Sequence, residues 1–204
     1  MTRFSSGSRA PDPEVFKSLG LQELCRLIQH FENCSILDLG GALGVNITFW
    51  GRFGPSLHVA NLHSAMPLTL PPQPSEEEAP AGPAWDGILA IPESSRFDVI
   101  LAWDFLNYLE PALFADLIRH MSRFCRRGTL LFALIYDRQQ MPALPTVFKI
   151  RDGENLIYEG CGTEMRPCPR HQPRDVRRMF AGFRVASSFL LRHGVQEYLF
   201  EYEG

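Results

Sequence analysis

Ser35-Ile36-Leu37-Asp38-Leu39-Gly40-Gly41-Ala42-Leu43-Gly44-Val45-Asn46 is a short apolar run that ends in an acidic residue and meets a glycine-rich loop opening a helical segment. Strand, loop and helix in that order are how a parallel α/β sheet holds a nucleotide-like ligand over the carboxyl ends of its strands. Gly40 and Gly44 let the backbone turn sharply and approach a ligand with no Cβ in the way.

Outward from this stretch the chain alternates helical and extended patterns. Residues 14–33 place Leu21, Leu24, Leu27, Ile28 and Phe31 on one side at helical spacing, which predicts an amphipathic helix ahead of the first strand, 34–39. A helix over 45–53, stopped by Gly54-Pro55, and a second strand over 56–62 follow. Residues 66–83 carry six prolines around Glu76-Glu77-Glu78, so a proline-rich flexible excursion is expected over 66–84, with 86–91 as a short edge strand. Residues 97–103 read as a buried strand, and Pro111 opens a helix to about Phe124, with Leu113, Leu117, Met121 and Phe124 inward. Residues 128–136 form another apolar strand. Asp152-Gly153 marks a hairpin insertion over 146–159. A last helix over 173–180 and an antiparallel pair, 184–191 with 196–202, close the chain.

Length and composition bound the function classes. A chain of 204 residues fits one domain, 1–204, with a full core. Its 45% hydrophobic and 21% charged content is that of a globular protein rather than a disordered tail. A net charge of −3 gives no global reason to expect nucleic acid. No window reaches the roughly 18 apolar residues of a membrane span, and the polar start has no signal-peptide core. Five cysteines without regular spacing suit a reducing, cytoplasmic setting. Cys161, Cys168 and His171 cluster, yet C-x6-C-x2-H lacks the paired spacing of a zinc knuckle and has no fourth ligand, so no metal is expected. Monomer or homodimer is the expected state.

The spacing D-x-G-x-A-x-G over residues 38–44 resembles the first motif of class I S-adenosylmethionine-dependent methyltransferases, D/E-x-G-x-G-x-G, with Ala42 in place of the middle glycine. It matches the dinucleotide pattern G-x-G-x-x-G less well, because that pattern needs its last glycine three residues after its second. The order of elements resembles the same family over roughly residues 21–202. The resemblance implies a Rossmann-like α/β fold with a mostly parallel seven-stranded sheet, order 3-2-1-4-5-7-6, its last strand antiparallel and helices on both faces. It implies S-adenosylmethionine as cofactor and in-line methyl transfer to a small-molecule acceptor.

Residue by residue, the resemblance puts Gly40, Gly41, Ala42 and Gly44 around the cofactor's methionine end, with Asp38 accepting nearby hydrogen bonds. An alanine at 42 costs little at negative φ and obstructs at positive φ. Asn61 stands where an acidic residue takes both ribose hydroxyls, and lacks the carboxylate's charge-assisted bonds. Asp86 and Ile88 are expected around adenine. Ala102 and Trp103 end the central strand beside the methyl group, where the indole either shields the sulfonium or simply fills the core. Asp104 is the candidate catalytic residue, binding the acceptor or taking its proton; the competing reading is a helix N-cap or a loop salt bridge. Asn107, Tyr108 and Tyr136 would line the acceptor pocket. Arginines at 166, 170, 174, 177 and 178 either attract an anionic acceptor or are solvated on the last helix. The alternative is a catalytically inactive methyltransferase-like binding or scaffold protein, to which Ala42, Asn61 and the disrupted third-strand region point. A nicotinamide-dependent oxidoreductase fits least.

Overall fold

The computed structural model describes residues 14–54, 56–65, 85–160, 163–169, 171, 173–191 and 194–204. The expected proline-rich excursion at 66–84 lies outside them. In chain order the elements are β1 (Glu14–Lys17), α1 (Leu19–Ile28), β2 (Ser35–Asp38), α2 (Gly44–Trp50), β3 (Ser56–Val59), α3 (Leu62–Ala65) and α4 (Trp85–Leu89). Then come β4 (Phe97–Trp103), a 3-10 turn (Phe105–Tyr108), α5 (Pro111–Ser122), β5 (Cys125–Tyr136), β6 (Gln140–Pro142), β7 (Val147–Ile150) and β8 (Asn155–Glu159). β9 (Met165–Pro167), α6 (Pro173–Met179), β10 (Phe183–Leu190) and β11 (Val195–Tyr202) complete the chain.

The main sheet has six strands in the order β10-β11-β5-β4-β2-β3. β3, β2, β4 and β5 run parallel, and β11 is antiparallel to both β5 and β10. This is a Rossmann-like α/β arrangement. The expected seven-strand order is corrected at one place, since residues 86–91 form no edge strand: Trp85–Leu89 is helical. Trp85 and Leu89 are its buried residues, a spacing of four that suits one helical face.

Every residue of β4 is buried, as a central parallel strand covered on both faces must be. One face of the sheet carries the core built with α4, α5 and α6; the other carries the core built with α1, α2, β7 and β8. Pro111 at the first turn of α5 forfeits no intrahelical bond, and Phe114, Leu117, Ile118 and Met121 turn the helix onto the sheet. Phe114 and Ile118 join the expected Leu117 and Met121 as the fully buried residues, with Leu113 partly buried against the same core.

Two smaller sheets are added to this frame. β1, β8 and β7 form an antiparallel sheet in the order β1-β8-β7, and β6 pairs with β9. β7 and β8 pair antiparallel across residues 151–154, which include Asp152-Gly153. β1 is a correction: residues 14–17, expected as the start of a helix, pair with β8 instead. The helix begins at Leu19, behind Ser18, whose hydroxyl accepts from the Leu21 amide at 3.0 Å. Among the described residues no helix is long and apolar enough to cross a membrane.

Candidate functional site

The carboxyl ends of β2, β3 and β4 converge on a cleft of about 300 Å³ lined by Gly40, Gly41, Leu43, Asn46, Asn61, Ser64, Trp103 and residues 144–148. Of the residues expected from the sequence, it brings together Gly40, Gly41, Asn61 and Trp103.

Gly40 and Gly41 serve different ends. A Cβ on Gly40 would lie 2.9 Å from Trp103 Cδ1 and Nε1 and 3.0 Å from Asp38 Oδ1, so its missing side chain makes room for the protein's own indole. A Cβ on Gly41 would meet only Asn61 Oδ1, at 3.9 Å, and otherwise faces open space. Asn61 has φ of 46°, the left-handed region that asparagine tolerates better than most residues. That kink ends the second strand at Val59, short of the expected residue 62, and starts α3, whose Ser64 amide bonds the Asn61 carbonyl at 3.1 Å.

Trp103 also has a positive φ, 49°, a conformation that costs a bulky residue on the order of 1–2 kcal/mol. The surroundings hold it there. Its Nε1 donates to Asp38 Oδ1 at 2.7 Å, its ring stacks on Phe148 at 5.5 Å and 6°, and Phe132 meets it edge-on at 5.9 Å. Asp38 also accepts from the Gly40 amide at 2.8 Å. Burial pushes its carboxyl up to about 6, against the pull of these two donors. Asp38 therefore shapes the loop from beneath, and does not line the cleft.

Five further corrections concern expected cofactor residues. Ala42 is exposed on the loop, outside the lining, and its φ is not in the left-handed region, so alanine is unstrained there. Gly44, also exposed, is the first residue of α2. Asp86 is exposed on α4, where it pairs with Arg123 at 3.2 Å and faces His120 at 3.7 Å; Ile88 packs against the core beside it. Both lie off the cleft because α4 replaces the expected strand. Ala102 points into the opposite core.

The expected acceptor-side residues are present but sealed. Asp104 is fully buried: its Oδ2 accepts from the Tyr136 hydroxyl at 2.8 Å and the Thr146 amide at 3.0 Å, while Oδ1 has no partner. Desolvation raises its carboxyl to about 6. Its side chain makes no cap hydrogen bond, and among the described residues it forms no salt bridge. Asn107 is a structural tie, donating to the Asp104 and Leu134 carbonyls and accepting from the Tyr136 amide, all at 2.8 Å. Tyr108 donates to the carbonyls of Pro142 at 3.1 Å and Leu144 at 2.9 Å. These bonds pin a strap, residues 143–146, between the cleft and Asp104. Neither Asn107, Tyr108 nor Tyr136 lines the cleft.

The strap and β7 are the part that sequence reasoning missed. Asn46 joins them to the glycine loop: its amide donates to the Phe148 carbonyl at 2.9 Å and accepts from the Ile150 amide at 2.8 Å, as a neighbouring strand would. A buried asparagine among the apolar residues Val45, Ile47, Phe49 and Trp50 was the available signal. Arg174, Arg177 and Arg178 are exposed on α6, away from the cleft, and Arg170 lies outside the described residues. Among the described residues no group of three or more His, Cys, Asp and Glu could hold a metal; Cys161 lies outside them.

No family model and no curated protein matches the sequence. Solved structures do resemble the fold. A glycopeptide N-methyltransferase, MtfA, determined with S-adenosylmethionine, is 12% identical over 91% of this chain and 88% of its own, with a TM-score of 0.51. DesVI of Streptomyces venezuelae is 9% identical over 90% of both chains, with a TM-score of 0.52. An S-adenosylmethionine-dependent methyltransferase from Clostridium acetobutylicum is 12% identical over 91% of this chain and 90% of its own, at 0.49. With six strands in the expected order and the antiparallel ending present, the chain has the fold of the class I S-adenosylmethionine-dependent methyltransferases.

Proposed function

We propose that this chain is a single-domain protein that binds S-adenosylmethionine in the cleft above Gly40 and Gly41 and transfers its methyl group to a small-molecule acceptor. The observation that carries the reading is the open space over Gly41, faced by Asn61 at the carboxyl ends of the parallel strands. A Cβ would begin to fill that cradle. MtfA, which shares the fold, is a methyltransferase determined with this cofactor.

The lining fits the group. The Gly40 and Gly41 backbone can approach its methionine end closely. The Asn61 amide can accept from one ribose hydroxyl and donate to the other, and Ser64 adds a hydroxyl beside it. Leu43, Val147 and Phe148 give apolar surface for a purine. A volume of about 300 Å³ is at the lower end for ligand pockets. When bound, the cofactor supplies a methyl carbon already activated by a sulfonium, so this chain's residues need mainly to position and desolvate.

A second reading, a binding protein without turnover, is favoured by one specific observation: the strap separates Asp104 from the cleft. Calorimetric titration with S-adenosylmethionine and S-adenosylhomocysteine, on wild type and Gly41→Val, tests the first. Micromolar binding, weakened at least tenfold in the variant with an unchanged thermal midpoint, is expected. Wild type that binds neither at millimolar concentration sinks the proposal. Binding without transfer to any member of an acceptor panel favours the second reading.

A further inference from the structure

The glycine loop and the wall beside it close into a ring of direct contacts. The Gly40 amide donates to Asp38 Oδ1 at 2.8 Å, and the same oxygen accepts from Trp103 Nε1 at 2.7 Å. The Trp103 ring stacks on Phe148 of β7. The Phe148 carbonyl accepts from the Asn46 amide at 2.9 Å, and Asn46 is the third residue of α2, which opens where the loop ends. All of these residues but Asp38 line the cleft.

Within the ring, Asn46 is the link that apolar packing cannot replace. β7 is the outer strand of its small sheet, so among the described residues one of its edges has no strand beside it. Asn46 pairs with that edge, giving a donor to the Phe148 carbonyl and an acceptor to the Ile150 amide. Burial alone asks for a different residue. Phe49 and Trp50, three and four positions on, stand on the same face of α2 and pack in the core, so an apolar side chain would suit position 46 better. A buried amide is tolerated there because both of its polar ends are bonded.

The ring also fixes its own dimensions. The indole is held at its nitrogen by Asp38 and on its rings by Phe132 and Phe148, so a shift of β7 passes through Trp103 and Asp38 to the Gly40 amide. A cleft whose walls are set before a ligand arrives binds without the cost of ordering them.

We propose that Asn46 is a positioning residue for the ligand: by clamping the Phe148 backbone to the first turn of α2, it sets where that wall stands relative to the glycine loop, and with it the affinity of the cleft. This rests on the methyltransferase reading for the identity of the ligand, whereas the clamp itself does not.

The test combines calorimetric titration of the full chain with S-adenosylhomocysteine and hydrogen exchange at the Gly40 amide, on wild type, Asn46→Asp, Asn46→Ala and Leu117→Val. Asn46→Asp keeps the shape and the bond from Ile150 but sets an oxygen against the Phe148 carbonyl; once protonated, its carboxyl can donate there. It is therefore purified at pH 5, where both bonds can form, and then taken to pH 8. Leu117 lies in the core on the other face of the sheet, so Leu117→Val lowers stability without touching the ring. At pH 8 both Asn46 variants should bind at least tenfold more weakly than wild type and exchange Gly40 at least tenfold faster, with Leu117→Val within twofold on both counts. At pH 5 the Asn46→Asp deficit relative to wild type should shrink to threefold or less, while that of Asn46→Ala stays. Gly40 exchange unchanged in both Asn46 variants, affinities within threefold of wild type, a deficit that Leu117→Val reproduces, or an Asn46→Asp deficit that pH does not move would each overturn the proposal. Faster Gly40 exchange in the variants of a protein that binds no S-adenosylhomocysteine would keep the clamp and remove the methyltransferase reading instead.

Discussion

Replacing Gly40 with alanine separates a glycine needed by the protein from one needed by a ligand. Gly40 is not in the left-handed region, so the added methyl brings no backbone strain; the cost comes from contact alone. The new Cβ would sit 2.9 Å from two atoms of the Trp103 indole. That ring cannot swing aside cheaply, because it is stacked on Phe148, met edge-on by Phe132 and hydrogen-bonded to Asp38. Overpacking of this kind costs about 1–3 kcal/mol, and stretching a hydrogen bond to a buried carboxylate adds about 1 kcal/mol or more. A total of about 2–4 kcal/mol corresponds, for a domain of this size, to a fall of roughly 4–16 °C in Tm. Urea unfolding followed by far-ultraviolet circular dichroism reads it without relying on Trp103 fluorescence, and the m-value should be unchanged. Gly41→Ala, whose Cβ meets only Asn61 Oδ1 at 3.9 Å, should stay within about 0.5 kcal/mol of wild type. If Gly40→Ala is as stable as Gly41→Ala, the indole is not wedged against the loop and the account of Trp103 is wrong.

Two other substitutions probe the walls of the cleft. Asn61→Asp restores a carboxylate at a position whose left-handed φ aspartate also tolerates, and should tighten S-adenosylhomocysteine by about tenfold in calorimetry; unchanged affinity would mean that the ribose does not lie at Asn61. Tyr108→Phe removes the hydroxyl that holds the Pro142 and Leu144 carbonyls, and should cost about 1–2 kcal/mol and speed limited proteolysis within residues 142–146. An unaltered cleavage rate there would show that the strap is held by other contacts.

The sequence carried the frame of the fold because its central strands are local signals. Residues 97–103 are apolar but for Asp98 and form β4 over the same bounds, and the Asp152-Gly153 turn announces β7 and β8 through its own chemistry. What escaped the sequence depends on distant partners. Glu14-Val15-Phe16-Lys17 becomes a strand because it pairs with Tyr158, Ile157, Leu156 and Asn155, some 140 residues away. The site follows the same division. Gly40, Gly41, Asn61 and Trp103 reach the cleft because strand ends fix them. Asp38, Asn107 and Tyr136 were legible as polar residues near it, but their hydrogen bonds turn inward to Trp103, Leu134 and Asp104. No spacing rule shows which side of a peptide a buried polar group will satisfy. The strap was invisible for a related reason, since it is held over the cleft by Tyr108 and Asp104, from a distant part of the chain.

Asp104 offers the sharpest link between that inward network and function. Its carboxyl is raised to about 6 in the folded chain, against about 3.9 when unfolded. The folded state therefore holds the proton more tightly. This contribution to stability is full below about pH 4 and is lost as pH rises through about 6, by about 3 kcal/mol for a shift of two units. Asp38 is raised to a similar value, and burial raises Glu197 as well; all three work in the same direction, so the wild-type slope combines them. Asp104→Asn isolates one of them. The asparagine oxygen can accept from Tyr136 and Thr146 as Oδ2 does, and its amide takes the place of the unpaired Oδ1. Thermal midpoints measured from pH 4 to pH 8 should fall less steeply in the variant, leaving it about 1–3 kcal/mol more stable than wild type at pH 8. An identical slope in both proteins would place the ionised carboxylate in a better-solvated setting than its burial implies. A variant that is more stable at pH 8, yet transfers no methyl group to an acceptor that wild type uses, would mean that a destabilising buried charge is kept for turnover, as stability and activity trade off at functional sites.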